Sequence, residues 1–523
     1  MAKTSKSSIR LLFTRFKDFW SIFKHSKRGL LGIGILVFYI AIALAAPIVA
    51  PTDPFQKTLA GNYAYPGWFK SLPGNEKLPE NLLLVNDAGF PTNDSLNEWN
   101  FTASSTQRAT ITQKFDRSRG NGSVAITFKR KNDFEQAGTV TVYLTKTFAW
   151  PYDPPYMFTC SIRIFAKGTV SEQNTSQLDV PASVSVIIHQ VGNSNQFDYL
   201  PYFGGAFRTI SVEKPTGHTL GMTPNPPINS TLLREMFATF DRPIGVPERE
   251  VFSKPTNYIY NVSVSFEDSN LETVGKPGIE TTIYLDDLNT KIYGKAYGLF
   301  GTDNWGQDLF SQFVHGARIS LWVGLSSALL SVTIGLTIGL IAGYVGSIVD
   351  EGLMRSADML LVLPGLPLLI VLIAVLGTSL TNIIIIIGLL GWMGFARTVR
   401  SQTLSLKERP FIEVAKSVGA GRFHIIARHI LPNVMSLVYV SLALQVPYAI
   451  LSEAALSWLG LFDPHVLSWG RMLYNAQRFG GIFHERWLWI IPPGISIALV
   501  SLAFILLGYA LDEILNPRLR IRR

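Results

Sequence analysis

Cysteine is all but missing: Cys160 is the one thiol in 523 residues. A disulfide framework and a thiolate-rich metal site are therefore excluded. Charge is sparse as well. Asp, Glu, Lys and Arg make up 16% of the chain, against about 25% in an average soluble domain, which excludes a charge-rich coiled coil or a disordered tail. The 8 histidines are scattered without metal-ligand spacing, and no nucleophile–base pairing is readable, so no catalytic, cofactor or metal site is expected. No G-x-x-x-x-G-K-[ST] stretch occurs, so the chain has no phosphate loop of its own. What it does have is apolar residue, 47% of the total, unevenly placed.

Residues 29–50 carry no charge and are long enough to cross a bilayer as a helix, which takes roughly 20 apolar residues. Comparable runs return only at 320–345, 359–377, 380–396, 433–457 and 487–511. Six spans are expected, one near the N-terminus and five in the C-terminal part. Ala43-Leu44-Ala45 resembles a signal-peptidase site, but the first apolar run exceeds the usual 7–15 residues of a signal peptide. An uncleaved anchor is the favoured reading. Gly335, Gly339 and Gly343 recur at small-xxx-small spacing, a face that lets membrane helices approach closely.

The basic residues set the expected topology. Residues 1–28 carry eight Lys and Arg against Asp18, and 397–432 carry seven against Glu408 and Glu413. Threading six spans in order puts both segments and the tail from Asp512 on one side. Lys/Arg-rich short loops face the cytoplasm, so both termini are expected inside and 51–319 outside. The loop 346–358 dissents, with Asp350, Glu351 and Asp358 against Arg355. The overall +9 then has nothing to do with nucleic acid. The segment 51–318 holds 23 Lys and Arg and 26 Asp and Glu, so the positive excess belongs to the membrane part.

The segment after the first span opens irregularly over 51–100. It then alternates like strands at Ser123–Lys129, Thr139–Phe148, Met157–Ala166, Ala182–His189, Arg208–Val212, Tyr258–Phe266 and Thr281–Leu285. Gly, Pro, Asn and Asp clusters separate these runs, the pattern of an all-β sandwich. A short helix is expected over 233–240. Trp150, Tyr152, Tyr156, Tyr199 and Tyr202 suit either a core or sugar stacking, the core being favoured. Asn-x-Ser/Thr sequons stand at Asn93, Asn100, Asn121, Asn174, Asn229 and Asn261; all lie in this segment, which agrees with an outside location. Glu453 is the one carboxylate inside an expected span. It is a pathway candidate or a structural hydrogen-bonding group.

The long inside loop has its own pattern. Pro410 suits a first helical turn. Phe411, Val414, Ala415 and Val418 then share one face, and Gly419 and Gly421 end the helix. That apolar face fits a groove on a protein partner or the membrane interface.

Glu413-Val414-Ala415, Gly419 and Ile430-Leu431-Pro432 resemble the EAA loop of binding-protein-dependent ABC import permeases, with Val414 a mild departure. Before the second span, Gly301-Thr302-Asp303 and Gly306, followed by Gly316-Ala317-Arg318-Ile319-Ser320-Leu321, resemble the oligopeptide/dipeptide/nickel permease branch. Gln307 stands where that branch usually has Arg. Ser457-Trp458-Leu459-Gly460-Leu461, Ser468-Trp469-Gly470 and Leu515-Asn516-Pro517-Arg518-Leu519 continue the resemblance. It covers 1–51 loosely and 297–523 densely, and leaves 52–296 unaccounted for. The β-rich segment loosely resembles carbohydrate-binding jelly-roll modules, through its strand rhythm and the run 282–288.

The resemblance implies an α-helical polytopic membrane protein, a six-helix type I importer permease with an inserted extracellular β-sandwich, in a prokaryotic cell membrane. It divides the chain into a basic tail at 1–28, a helix at 29–50, an insertion at 51–296 and a permease core at 297–523. It implies a second permease subunit, two cytoplasmic ATPases that hold ATP and Mg, and an extracellular binding protein. Phe411, Glu413, Ala415, Val418 and Gly419 would couple to the ATPases. The expected cargo is peptide or a related small solute. An oligosaccharide importer, or a membrane-anchored glycan-binding surface protein, stays open, although the EAA-like loop argues against a mere anchor.

Overall fold

The structure, a computed structural model, describes residues 20–86, 89–90, 92–105, 107, 109–116, 122–131, 138–168, 182–191, 220–222, 228–229, 247–268 and 280–515. The expected strand at 208–212 and helix at 233–240 lie outside these residues, as do Tyr199, Tyr202, the sequons at Asn121 and Asn174, and most of the basic N-terminal tail. The chain forms two compact units, one of 1–57 with 307–523 and one of 58–306.

The first unit is helical. It contains α1 (Lys27–Val49), α2 (Leu309–Val345), α3 (Ser347–Val362), α4 (Gly365–Leu376), α5 (Leu380–Lys407), α6 (Pro410–Ser417), α7 (Leu431–Trp458), α8 (Trp469–Arg478) and α9 (Trp487–Leu515). Among the described residues five helices are long and apolar enough to cross a membrane, or six if α3 and α4 count as one span. That pair corrects the straight span expected at 359–377: its halves meet at 93°. Leu363, the residue before Pro364, is extended at φ −73° and ψ 137°, the conformation that proline imposes on its predecessor. The second span also differs. α2 begins at Leu309 rather than 320, because its polar first turns are buried inside the unit: Ser311 Oγ donates to Thr52 O at 2.6 Å.

α1 packs within the bundle. Tyr39 Oη donates to Ser496 Oγ at 2.9 Å, and a Cβ on Gly32 would stand 2.7 Å from Ala503 O. α2 and α5 meet along the glycine seam. A Cβ on Gly335 would lie 2.9 Å from Trp392 O, and one on Gly343 2.9 Å from Arg400 O. The acidic residues of the dissenting loop are counterions: Asp350 pairs with Arg400, and Asp358 with Arg397. Just before α7, the Leu431 N–H reaches back five residues to Ile426 O, making a π-turn over Ile426–Ile430. Pro432 follows. It has no N–H, and its ring would clash with a regular preceding turn, so the wider turn makes room for it.

The second unit is two antiparallel sheets on one core. Its strands are β1 (Leu82–Leu83), β2 (Asn100–Ala103), β3 (Ala109–Asp116), β4 (Ser123–Arg130), β5 (Gly138–Trp150), β6 (Met157–Gly168), β7 (Ala182–Gln190), β8 (Leu220–Met222), β9 (Ile228–Asn229), β10 (Thr256–Asp268) and β11 (Glu280–Tyr293). One sheet runs β3-β4-β11-β6-β8, with β1 on β11 and β9 on β6; the other runs β2-β5-β10-β7. Alternate residues face inward, as the period of a half-buried strand requires. Val142, Leu144, Val262 and Val264 of one sheet share a core with Ile126, Phe128, Ile162 and Ile283 of the other. Trp150 is buried there against Phe252, ring centroids 5.3 Å apart, so it is a core residue and not a stacking platform. Of the sequons, Asn261 is buried and Asn100 exposed.

Candidate functional site

Two of the sequence motifs form built structures. The first is the loop around α6. Pro410 holds the first helical turn, and the helix ends in a Schellman arrangement. Gly419 N–H donates to Lys416 O at 3.0 Å and Ala420 N–H to Ala415 O at 3.1 Å. That arrangement needs a left-handed residue, and Gly419 supplies it at φ +81°. Ile412 and Ala415 are buried against Leu340, Tyr344, Leu406 and Val434. Phe411, Val414 and Val418 point away, at 44%, 63% and 79% exposure. Glu413 is exposed as well.

Ala415 therefore does not share the face of Phe411, Val414 and Val418 expected from their spacing. Ala415 pairs with Ile412, three residues earlier, to seat the helix on its own chain, while Phe411, Val414 and Val418 form a separate bare apolar face. Ile412 is the residue that the sequence reading missed. Its i, i+3 relation to Ala415 was the available signal.

The second motif lies in the β unit, where the chain returns toward α2. Gly301, Thr302, Asp303 and Gly306 come together as a clasp on residues 58–65. Thr302 Oγ accepts from Ala64 N–H at 2.8 Å and donates to Gly61 O at 2.5 Å. Asp303 O accepts from Tyr63 N–H at 2.8 Å, and its Oδ1 from Trp305 N–H at 2.8 Å. Gly301 sits at φ +81°, where a Cβ would be 2.2 Å from Ala64 O. Gly306 sits at φ +69°, where a Cβ would be 2.5 Å from Ala60 O. Tyr65 and Ala296 form a parallel bridge beside them. Thr302→Val should strand a buried amide and a buried carbonyl. A loss of about 1–3 kcal/mol is expected for the β unit, read by faster amide exchange at 61–65.

The clasp explains where the compact units divide. Residues 297–306 fold with 58–67, while 51–57 pack with the helices. The divisions therefore fall at 57/58 and 306/307, and not at 50/51 and 296/297. Within the helical unit, Gln307 Nε2 donates to Phe55 O at 3.0 Å and its Oε1 accepts from Gln312 at 3.2 Å. A neutral amide thus both donates and accepts at this buried position. Asp308 Oδ1 caps α2 by accepting from Phe310 N–H at 3.1 Å.

Glu453 stands apart from both motifs. It is buried on α7, and its Oε1 accepts from Ser457 Oγ at 2.7 Å and Ser468 Oγ at 2.6 Å. Ser468 also caps α8 by accepting from Arg471 N–H at 3.1 Å. Glu453 therefore ties α8 to α7. Trp469 completes the joint, its Nε1 donating to Phe313 O of α2 at 3.0 Å. Among the described residues no group of three His, Cys, Asp or Glu is placed to hold a metal ion.

Residues 335–521 match the family described as binding-protein-dependent transport system inner membrane component. Residues 14–66 match the N-terminal TM domain of oligopeptide transport permease C. The two matches leave 67–334 between them. A putative peptide transport system permease protein of Brucella suis is 39% identical over 225 residues, 43% of this chain and 74% of the relative. The dipeptide transport system permease protein DppC of Bacillus subtilis is 39% identical over 222 residues, 42% of this chain and 69% of that protein. Among solved structures, a family 11 carbohydrate-binding module from Clostridium thermocellum aligns with 38% of this chain and 91% of its own, at 10% identity and a TM-score of 0.17, too slight a likeness to carry an argument. The extent of the permease relationship is decisive: the chain belongs to the binding-protein-dependent inner membrane transport components, in the C-type branch of the oligopeptide and dipeptide permeases.

Proposed function

We propose that this chain is one of two permease subunits of an ATP-driven importer that carries peptides, delivered by a binding protein, into the cytoplasm. The names of its relatives support peptide as the cargo. A phosphate loop is missing from the sequence, so ATP is hydrolysed by two partner ATPase subunits. The observation that carries the reading is α6, a short helix seated by Ile412 and Ala415 that leaves Phe411, Val414 and Val418 bare. Such a face fits a groove on an ATPase. Glu413 and Gly419 act with it, the glycine by fixing the end of the helix.

The membrane orientation follows from the basic residues around α6. With Asp350 and Asp358 paired to Arg400 and Arg397, the acidic loop does not oppose it. Both termini and α6 are cytoplasmic, and the β unit lies outside, where it contacts the binding protein or its cargo. Transport proceeds by alternating access. ATP on one side and the loaded binding protein on the other each favour one state, and each shifts the balance only by its differential affinity.

Phe411→Asp with Val418→Asp is the direct test. Uptake of a labelled peptide should fall at least tenfold and co-purification of the ATPases should be lost. The level of the chain in the membrane should stay unchanged, because neither side chain is buried. Retained ATPase association would refute the docking role. Replacing 68–292 by a short Gly/Ser linker should leave membrane insertion intact and depress uptake; undiminished uptake and binding-protein docking would remove the β unit from the transport cycle.

A further inference from the structure

A cleft of about 400 Å3 lies in the helical unit at the end of α2 away from α6. Phe55, His315, Arg318, Trp322, His465 and Leu467 line it. Groups around it are held in place by contacts within the unit. Arg471 Nη1 donates to Pro464 O at 2.8 Å and Val466 O at 2.7 Å, and its guanidinium lies between the rings of Phe55 and Phe462, 5.2 and 5.1 Å from their centroids. His315 Nε2 is within 3.1 Å of Ala50 O. Arg318 is different. It is exposed and has no ion pair or side-chain hydrogen bond among the described residues, and no carboxylate lines the cleft.

A second observation concerns the face of α2 below Arg318. Trp322, Leu325, Leu329 and Thr333 follow it at helical spacing, all exposed. Thr333 Oγ donates to Leu329 O at 2.7 Å and Thr337 Oγ to Thr333 O at 2.8 Å. The hydroxyls are closed on their own helix, so beyond the indole of Trp322 the stripe offers hydrocarbon. From Trp322 to Thr333 the stripe rises about 17 Å, close to one leaflet of a hydrocarbon core about 30 Å thick. Arg318 stands one turn beyond the tryptophan, at the depth where tryptophan marks the membrane interface.

We propose that this cleft binds an anionic phospholipid. The phosphate is held by the Arg318 guanidinium, with His465 beside it, and one acyl chain lies along Trp322, Leu325 and Leu329. A guanidinium matches phosphate oxygens with paired donors. The lipid belongs to the leaflet farther from α6, and it braces the outer end of α2 against the wall formed by residues 463–467.

The protein purified in mild detergent from its own membrane can be titrated with phosphatidylglycerol and with phosphatidylcholine, and the bound lipid counted by native mass spectrometry. The natural chain should hold phosphatidylglycerol at least tenfold more tightly. Arg318→Gln should erase that preference, Arg318→Lys should keep part of it, and Trp322→Ala should weaken both lipids alike. An equal preference in Arg318→Gln and the natural chain would overturn the proposal. So would an Arg318→Gln defect confined to uptake of peptides with a free carboxylate while lipid preference persists, since the cleft would then belong to the cargo.

Discussion

Gly339→Leu is expected to abolish assembly of the helical unit. A Cβ at Gly339 would already stand 2.6 Å from Ala396 O and 2.7 Å from Val399 Cβ. The first of these is backbone, which cannot turn aside as a side chain can. Leucine adds three more carbons to a seam with no room for the first. Overpacking a well-filled core costs about 1–3 kcal/mol, and parting α2 from α5 would also break the fit at Gly335 and Gly343. The leucine variant should be missing from the monodisperse fraction after detergent extraction, and Gly339→Ala should fall between it and the natural chain. Gly394→Leu is the control, because a Cβ there meets nothing within 4 Å. If both leucine variants behave alike, α2 and α5 do not pack through this seam.

Arg130→Ala should unfold the β unit at temperatures where the natural one is stable. Arg130 ends β4 in one sheet and Asp268 ends β10 in the other, so their ion pair joins the two sheets. Arg130 Nε donates to Asp268 Oδ2 at 2.9 Å, and the side chains are 1% and 6% exposed. Removing the arginine leaves a buried carboxylate without its countercharge, a loss of about 3–5 kcal/mol. Replacing both residues with apolar ones of similar size should restore most of it. Cys160 provides the readout within the whole chain. It is buried in this core, and burial pushes its thiol up to about 11, so alkylation is slow while the unit is folded. Arg130→Ala should speed alkylation sharply and the double apolar variant should slow it again. Unchanged alkylation in Arg130→Ala would show that the pair does not hold the sheets together.

The features legible in the sequence are those with a long period or a long run. Hydropathy located α1, α5, α7 and α9. Alternation located β4, β5, β6, β7 and β10 to within about two residues, because each is eight residues or longer and rich in β-branched and aromatic residues bounded by turn residues. The starts of polar helices were not legible. Ser311 is buried and bonds to Thr52, 259 residues away, and no local window records that. β3 was also missed, since its exposed run Thr112-Gln113-Lys114 hides the alternation.

At the candidate site, Pro410 and Gly419 marked the ends of α6 correctly, because each acts through its own backbone. The division of its faces failed: an eight-residue helix with apolar residues on two sides does not say which side its own chain will cover. Gly301, Thr302, Asp303 and Gly306 were recognised only as a resemblance. Their partners lie far along the chain, so their joint action as a clasp had no local signature.

That clasp also has a place in time. Ala64 and Thr302 are 238 residues apart in the chain. At a synthesis rate of about 5–20 residues per second, roughly 10–50 s separate the appearance of the two halves. Throughout that interval α1 is already made, and residues 58–65 wait without Thr302. The neighbouring strands β3 and β4, and β2 and β5, can pair early, but the middle strands β10 and β11 are made only shortly before Thr302, so both sheets and the clasp are completed together. α2 follows directly behind it in the chain.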